Sequence, residues 1–206
     1  MFKKATDIFN DWAENDKDQG MEKNHSNAVE TMLNLLVENK ITPFTFLDAG
    51  CGNGWVVRKI KKHSFCKMAI GIDGAKGMIE KAKKIDPKGI YIYKDLMLWT
   101  PKSKFDIIHS MEVLYYFNKP ESLLSHMLEK WLEPNGEIIS GIDYYLENVE
   151  SHSWPKDLNT QMKLLSKKDW KILFEDCGLK DVQTFQTNAS KKFPGTLIIY
   201  GRNKVK

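Results

Sequence analysis

Cysteine is scarce: Cys51, Cys66 and Cys177 are the three among 206 residues. None forms a C-x-x-C pair, so neither a disulfide scaffold nor a zinc ribbon is indicated, and a reducing compartment suits the chain. Long apolar runs are missing too, none approaching the roughly 18 residues of a membrane span. The stretch from Met1 to Asp7 lacks the apolar centre of a secretory signal, so export is not indicated and the cytoplasm is the expected location. A dense block of one charge is likewise absent. The net charge is +4, and the lysines fall in scattered pairs such as Lys61-Lys62 and Lys83-Lys84. Such pairs read as the wet faces of helices, so a nucleic-acid partner is not expected. With no internal repeat, low-complexity tract or linker, residues 1–206 are read as a single domain.

Hydrophobic residues make up 42% and charged residues 28%, a globular balance. Val29, Met32, Leu33 and Leu36 have helical spacing, with Asn27 and Glu30 as a capping pair that predicts a helix over 27–39. After Pro43 the apolar run 44–47 reads as a buried strand ending at Asp48. Strand and helix signals then alternate: helix 54–62, strand 67–72, helix 75–85, strand 89–94, strand 105–109, helix 120–132. The turn Pro134-Asn135-Gly136 opens a strand over 137–140. Ser166 and Asp169 have N-cap spacing, and Gly178 ends that helix. The runs 180–187 and 196–201 are joined too briefly for a crossover helix and should pair antiparallel. The expected fold is α/β: a doubly wound, seven-stranded, mostly parallel sheet with an antiparallel last strand, Rossmann-like, helices on both faces. Ligands of such sheets bind past the carboxyl ends of the strands.

The first of those ends is Asp48-Ala49-Gly50-Cys51-Gly52-Asn53-Gly54. Alternating glycines let the backbone turn sharply and approach a ligand, and a helix N-terminus follows. The dinucleotide fingerprint would need glycine where Trp55 stands, and no G-K-[ST] follows for a P-loop. The second end, Gly71-Ile72-Asp73-Gly74, places an acid about 20 residues past the glycines, where ribose hydroxyls find an acceptor.

The run from Phe46 to Gly54 resembles the D-x-G-x-G-x-G motif of class I S-adenosylmethionine (AdoMet)-dependent methyltransferases. Gly71-Ile72-Asp73, Tyr93-Lys94-Asp95-Leu96, the strand Phe105 to Ser110 and Leu132 to Glu137 are similar to that family's later motifs, in order. The resemblance covers residues 44–142 and implies a transferase that binds AdoMet and releases S-adenosylhomocysteine. It implies that Gly50, Cys51, Gly52 and Gly54 bring backbone to the methionine moiety and that Asp48 anchors its amino group directly or through water. Asp73 would hold the ribose hydroxyls, with Gly74 leaving room beside the adenine. Asp95 and the Leu96 N–H would meet the adenine edge, and Ser110 and Met111 the methionine end. Met78 either packs on the adenine or is plain core.

The fourth motif continues Glu112-Val113-Leu114-Tyr115-Tyr116-Phe117. It resembles the E-x-x-E-H version of some quinone O-methyltransferases and metal-dependent RNA 2′-O-methyltransferases, but Tyr115 and Tyr116 replace the later Glu and His. No metal is therefore expected. The N-P-P-Y signature of adenine- or glutamine-directed enzymes is missing. Aromatics gather instead: Tyr115, Tyr116, Phe117, Tyr144, Tyr145, His152 and Trp154. Residues 1–42 are read as a helical lid, 143–165 as an insertion over the acceptor, and 166–206 as a closing helix and strand pair. An N- or O-directed methyltransferase for a small-molecule acceptor is the leading expectation. RNA or protein methylation through surface lysines, and a non-catalytic AdoMet-binding subunit, are the alternatives. Glu112, Tyr116, His25 and Asp143 are possible bases, with Tyr115 and His152 preferred as catalytic residues. His109, inside a strand, is read as a core histidine.

Overall fold

The computed structural model describes residues 2–204. Its centre is a seven-stranded sheet: β1 (Phe44–Ala49), β2 (Cys66–Asp73), β3 (Ile90–Tyr93), β4 (Phe105–Met111), β5 (Leu132–Ile142), β6 (Lys180–Thr187) and β7 (Thr196–Arg202). The strand order is β3-β2-β1-β4-β5-β7-β6. The first five strands run parallel, and β7 lies antiparallel to both β5 and β6. β1 and β4 are nearly all buried because helices cover both faces of a central parallel strand. The order reverses between β1 and β4, so the crevice past their carboxyl ends is the expected ligand position.

Helices α1 (Ala5–Glu14), α2 (Gln19–Val37), α3 (Trp55–Ile60), α4 (Lys76–Ile85), α5 (Pro120–His126), α6 (Trp154–Asp157) and α7 (Lys167–Asp176) surround the sheet. One core lies against α2, α3 and α4, with Met32, Leu33, Val57 and Ile79 buried. The other lies under α5 and α7, around Trp131, Trp170 and Phe174. In α4 the split is plain from the chain: Met78, Ile79 and Ala82 face in, and Lys83 and Lys84 face water. The expected cap of α7 is present, Ser166 Oγ accepting from the Asp169 N–H at 3.1 Å. Gly178 follows that helix with φ +104°, a left-handed position that glycine takes without a Cβ penalty.

Three local expectations are corrected. Asn27 and Glu30 do not start a helix, because α2 begins at Gln19 and both lie mid-helix. Asp18 precedes that helix, and tertiary bonds rather than a capping box use its carboxylate. The helix expected over 120–132 is α-helical to His126 and then widens into a π-turn over Met127–Trp131. The Pro134–Gly136 turn does not open β5 but sits within its span, Asn135 taking φ +64° while its N–H reaches Asn203. Among the described residues no helix is long and apolar enough to cross a membrane.

Candidate active site

A cavity of about 1310 Å³ opens past the carboxyl ends of β1, β2, β4 and β5, bounded by α1, α2 and the segment after β5. Its near end is built from backbone. Gly50, Gly52 and Gly74 line it, as do Asp73, Met78, Tyr93, Asp95 and Leu96. Asp73 Oδ2 accepts from the Gly52 N–H at 2.8 Å and Oδ1 from the Ala75 N–H at 2.7 Å. The carboxylate therefore locks the glycine loop to the end of β2 with lone pairs to spare. Burial pushes its pKa up to about 6, although those same N–H groups pull the other way. Gly52 has φ +52°, and a Cβ there would meet only Met21 Cε, at 3.3 Å, and otherwise stand in the cavity. A ligand resting on this loop needs that space.

The loop's other glycines serve packing. A Cβ on Gly54 (φ +78°) would lie 2.3 Å from the Tyr91 ring, and one on Gly50 (φ +79°) 2.2 Å from Val113 Cγ2. Asp48, Cys51 and Ser110 do not line the cavity, and their side chains are engaged elsewhere. Asp48 is buried against His109 Nδ1 at 2.7 Å. The Cys51 side chain packs against Gly71, and Ser110 Oγ donates to the Ala49 carbonyl. His109 is a core histidine, as its strand position indicated.

A network absent from the sequence reading ties the amino-terminal helices over this end. Asp18 is wholly buried, accepting from Asn53 Nδ2 at 2.7 Å and pairing with Lys81 at 2.6 Å. Asn10 Oδ1 takes the Gly77 N–H at 2.8 Å, and a Cβ on Gly74 would strike Thr6. No local signal marks these contacts, which span 35 to 68 positions of chain.

The far end is made of rings and acids. Phe9, Trp12, Tyr115, Tyr116, Phe117 and Trp154 line it. Phe9 meets Trp12 and Tyr116 edge-on at 5.3 and 5.5 Å, and Tyr115 and Tyr116 lie 4.5 Å apart. Tyr144 stands behind, stacked on Trp154 at 6.3 Å, while the Tyr145 hydroxyl is tied to the Gly195 carbonyl. His152 stands apart: it is exposed, and its Nε2 lies 3.0 Å from the Leu146 carbonyl.

Among the rings, His25, Glu112 and Asp143 converge, each offering one atom within 4.8 Å of the others'. Glu112 turns out of β4 with φ +58°, a left-handed kink that a non-glycine residue holds only when its contacts demand it. Its Oε1 accepts from the Asp143 N–H and its Oε2 from the Tyr115 hydroxyl, both at 2.6 Å. Burial and the neighbouring Asp143 push the Glu112 pKa up to about 8. Burial and Glu112 push the Tyr115 hydroxyl well up, so it stays a donor. Burial alone would lower His25; the Asp143 and Glu112 carboxylates outweigh it and raise its pKa. Two buried acceptor oxygens on this wall, Asp143 Oδ1 and Asn148 Oδ1, have no protein donor among the described residues.

The family described as "Methyltransferase domain" matches residues 18–184. Malonyl-[acyl-carrier protein] O-methyltransferase 2 of Ilyobacter polytropus is 29% identical over 151 residues, 70% of this chain and 58% of its own length. The corresponding enzyme of Halalkalibacterium halodurans is 31% identical over 149 residues, 64% of this chain and 54% of its own. The chain thus spans less than two thirds of these curated relatives. Among solved structures, the complex of the Haloferax volcanii Trm112 methyltransferase activator with a methyltransferase matches with TM-score 0.82 and 23% identity. That match covers 96% of this chain and 98% of the other. N-methyltransferase NodS of Bradyrhizobium japonicum, solved with S-adenosylhomocysteine, matches with TM-score 0.66 at 19% identity over 85% of each chain. At these identities the structures speak for the fold.

Proposed function

The chain belongs to the methyltransferase domain family, and on that premise we propose that it moves the methyl group of AdoMet to a nitrogen or oxygen of a small-molecule acceptor. The observation that carries this reading is one continuous cavity with two unlike ends: the Gly52–Asp73 cradle, and a ring-lined end holding His25, Glu112 and Asp143.

AdoMet supplies an electrophilic methyl on a sulfonium. The residues present fit it. Asp73 has lone pairs left for ribose hydroxyls, Gly52 leaves the space a Cβ would fill, and Asp95 and Leu96 stand where an adenine edge would lie. Transfer asks the protein mainly to align nucleophile with methyl and exclude water. Helices α1 and α2 act as the lid, tied down by Asp18 to Asn53 and Lys81. The rings hold a flat or cationic acceptor by their faces. Asn148 Oδ1 takes a donor from the acceptor, and the His25–Glu112–Asp143 cluster orients it and takes up the proton it releases.

Methyl-labelled AdoMet, the purified chain and a cell extract test this reading. Label should enter the low-mass fraction, and calorimetry should detect AdoMet binding. Failure of the wild type to bind AdoMet would remove the reading altogether.

One observation favours a second reading, an acceptor carried on a protein. Lys3, Lys4 and Lys17 line the cavity, and the curated relatives act on malonyl groups borne by acyl-carrier protein. Label confined to the protein fraction, with activity falling steeply as salt rises, would favour it over the small molecule.

A further inference from the structure

We propose that His25, Glu112 and Asp143 form a divalent-cation site at the ring-lined end of the cavity, taking a first-row ion such as Mn²⁺ or Zn²⁺. The ion would present an oxygen-bearing acceptor to the methyl and replace direct proton uptake by the three side chains, the acceptor's proton leaving to solvent. That last step rests on the methyl-transfer reading; the cation site itself does not.

The three side chains come from α2, from the turn after β4 and from the loop after β5, and offer one ligand atom each within 4.8 Å of one another. Ligands bonded at about 2.1 Å stand roughly 3–4 Å apart, so a small inward rotation completes the set. The tautomer of His25 is fixed by its surroundings. Its Nδ1 lies 2.9 Å from the Met21 carbonyl, which can only accept, so Nδ1 carries a hydrogen. In the neutral ring Nε2 then holds a lone pair, aimed at the cluster 3.4 Å from Asp143 Oδ2. Two lone pairs facing each other call for a cation or a proton between them. A backbone carbonyl holding the far ring nitrogen is also how metal-bound histidines are set.

The carboxylates are prepared in the same way. Glu112 is pinned by two donors, the Tyr115 hydroxyl and the Asp143 N–H, each leaving its oxygen a further lone pair. Asp143 is 7% exposed, and its Oδ1 is buried with no partner among the described residues. The other oxygen, Oδ2, is the one that faces His25, and a cation on that side stabilises a buried carboxylate short of donors. Among the described residues no lysine or arginine pairs with Glu112 or Asp143; the ring facing Asp143 is His25, which is a cation only with a proton on Nε2, the position a metal ion would take instead. One nitrogen and two carboxylates suit Mn²⁺, Fe²⁺ or Zn²⁺ and not the soft ions that thiolates select. Three protein ligands leave positions open toward the cavity, where an acceptor hydroxyl would coordinate and give up its proton to solvent more readily, or an acceptor carboxylate would coordinate as it stands.

The test uses the full chain, stripped with a chelator and titrated with MnCl₂ by electron paramagnetic resonance and with ZnCl₂ by calorimetry. Wild type should bind one equivalent of either ion, with nitrogen coupling to bound Mn²⁺. Asp143→Asn and His25→Gln should each weaken binding at least about tenfold, and His25→Gln should abolish the nitrogen coupling. Circular dichroism and AdoMet calorimetry check that both variants fold. AdoMet binding by a wild type that takes up neither ion, or ion binding unchanged in both variants, would overturn the cation site and leave methyl transfer standing. One equivalent of ion lost in the variants, in a chain that binds no AdoMet, would support the site and sink the transfer reading instead.

Discussion

The two ends of the cavity are built in opposite ways. At the cradle, Gly52 follows β1 and Asp73 ends the adjacent β2, 21 positions apart, and a backbone N–H joins them. At the ring-lined end, His25, Glu112 and Asp143 come from three elements 87 and 31 positions apart, and side chains supply all the chemistry. A site made of backbone needs particular residues at fixed short spacing, because only glycine tolerates the φ and an acid must end the next strand. A site made of side chains can recruit them from anywhere the fold reaches.

The difference can be tested by damaging each end in turn. The largest effect is expected for Asp73→Ala. It removes two backbone anchors and the ribose acceptor together, and AdoMet affinity should fall roughly 100-fold, about 2.7 kcal/mol, by calorimetry. Glu112→Gln, at the other end, should leave AdoMet affinity within about threefold while turnover falls roughly 10–100-fold, since a positioned proton acceptor or ligand contributes on that scale. If Glu112→Gln weakened AdoMet as much as Asp73→Ala does, the two ends would not be separable. Gly54→Ala probes the fabric beneath the cradle. With φ +78° and the Tyr91 ring 2.3 Å from an added Cβ, it should cost about 2 kcal/mol in urea unfolding. Gly178→Ala is its control. It has φ +104° but nothing within 4 Å, so only the backbone penalty remains and the loss should be smaller.

A pH series sharpens the contrast further. Burial raises Asp73 to about 6, so below that value the carboxyl is protonated and loses acceptor capacity. AdoMet binding favours the ionised form, so affinity should rise as pH rises through about 6 and level off above 7. A total change of about tenfold is expected, one unit of pKa on binding. In Asp73→Asn the rise should vanish, because no group remains there to titrate.

These contrasts also explain how far the chain could be read. The order of strands and helices, the antiparallel end of the sheet and the Ser166 cap were all legible, because each depends on residues close in sequence. The start of α2 was not, since it is set by a buried Asp18 whose partners, Asn53 and Lys81, lie 35 and 63 positions away. Asp48, Cys51 and Ser110 hold motif positions, and their side chains rest on His109, on Gly71 and on the Ala49 carbonyl, contacts that periodicity in the chain does not reveal. His25 and Asp143 were among several possible bases. Nothing nearby in sequence distinguished them from His152.

That last distinction is the smallest effect and the cleanest check of the ring-lined end. His152 follows the aromatic run as closely as Trp154 does, and sequence proximity made it a preferred base. In the fold it is solvent-exposed, its ring nitrogen set against the Leu146 carbonyl, and it does not line the cavity. A group that cannot come within hydrogen-bond reach of the acceptor cannot take its proton. His152→Ala should therefore leave turnover within about twofold of wild type, an exposed substitution far from the chemistry. His25→Ala should lower it by at least about tenfold, losing the Asp143 contact and the Nε2 lone pair together. The reverse ranking would mean that the segment after β5 closes differently during turnover, and the far end would then have to be rebuilt around His152.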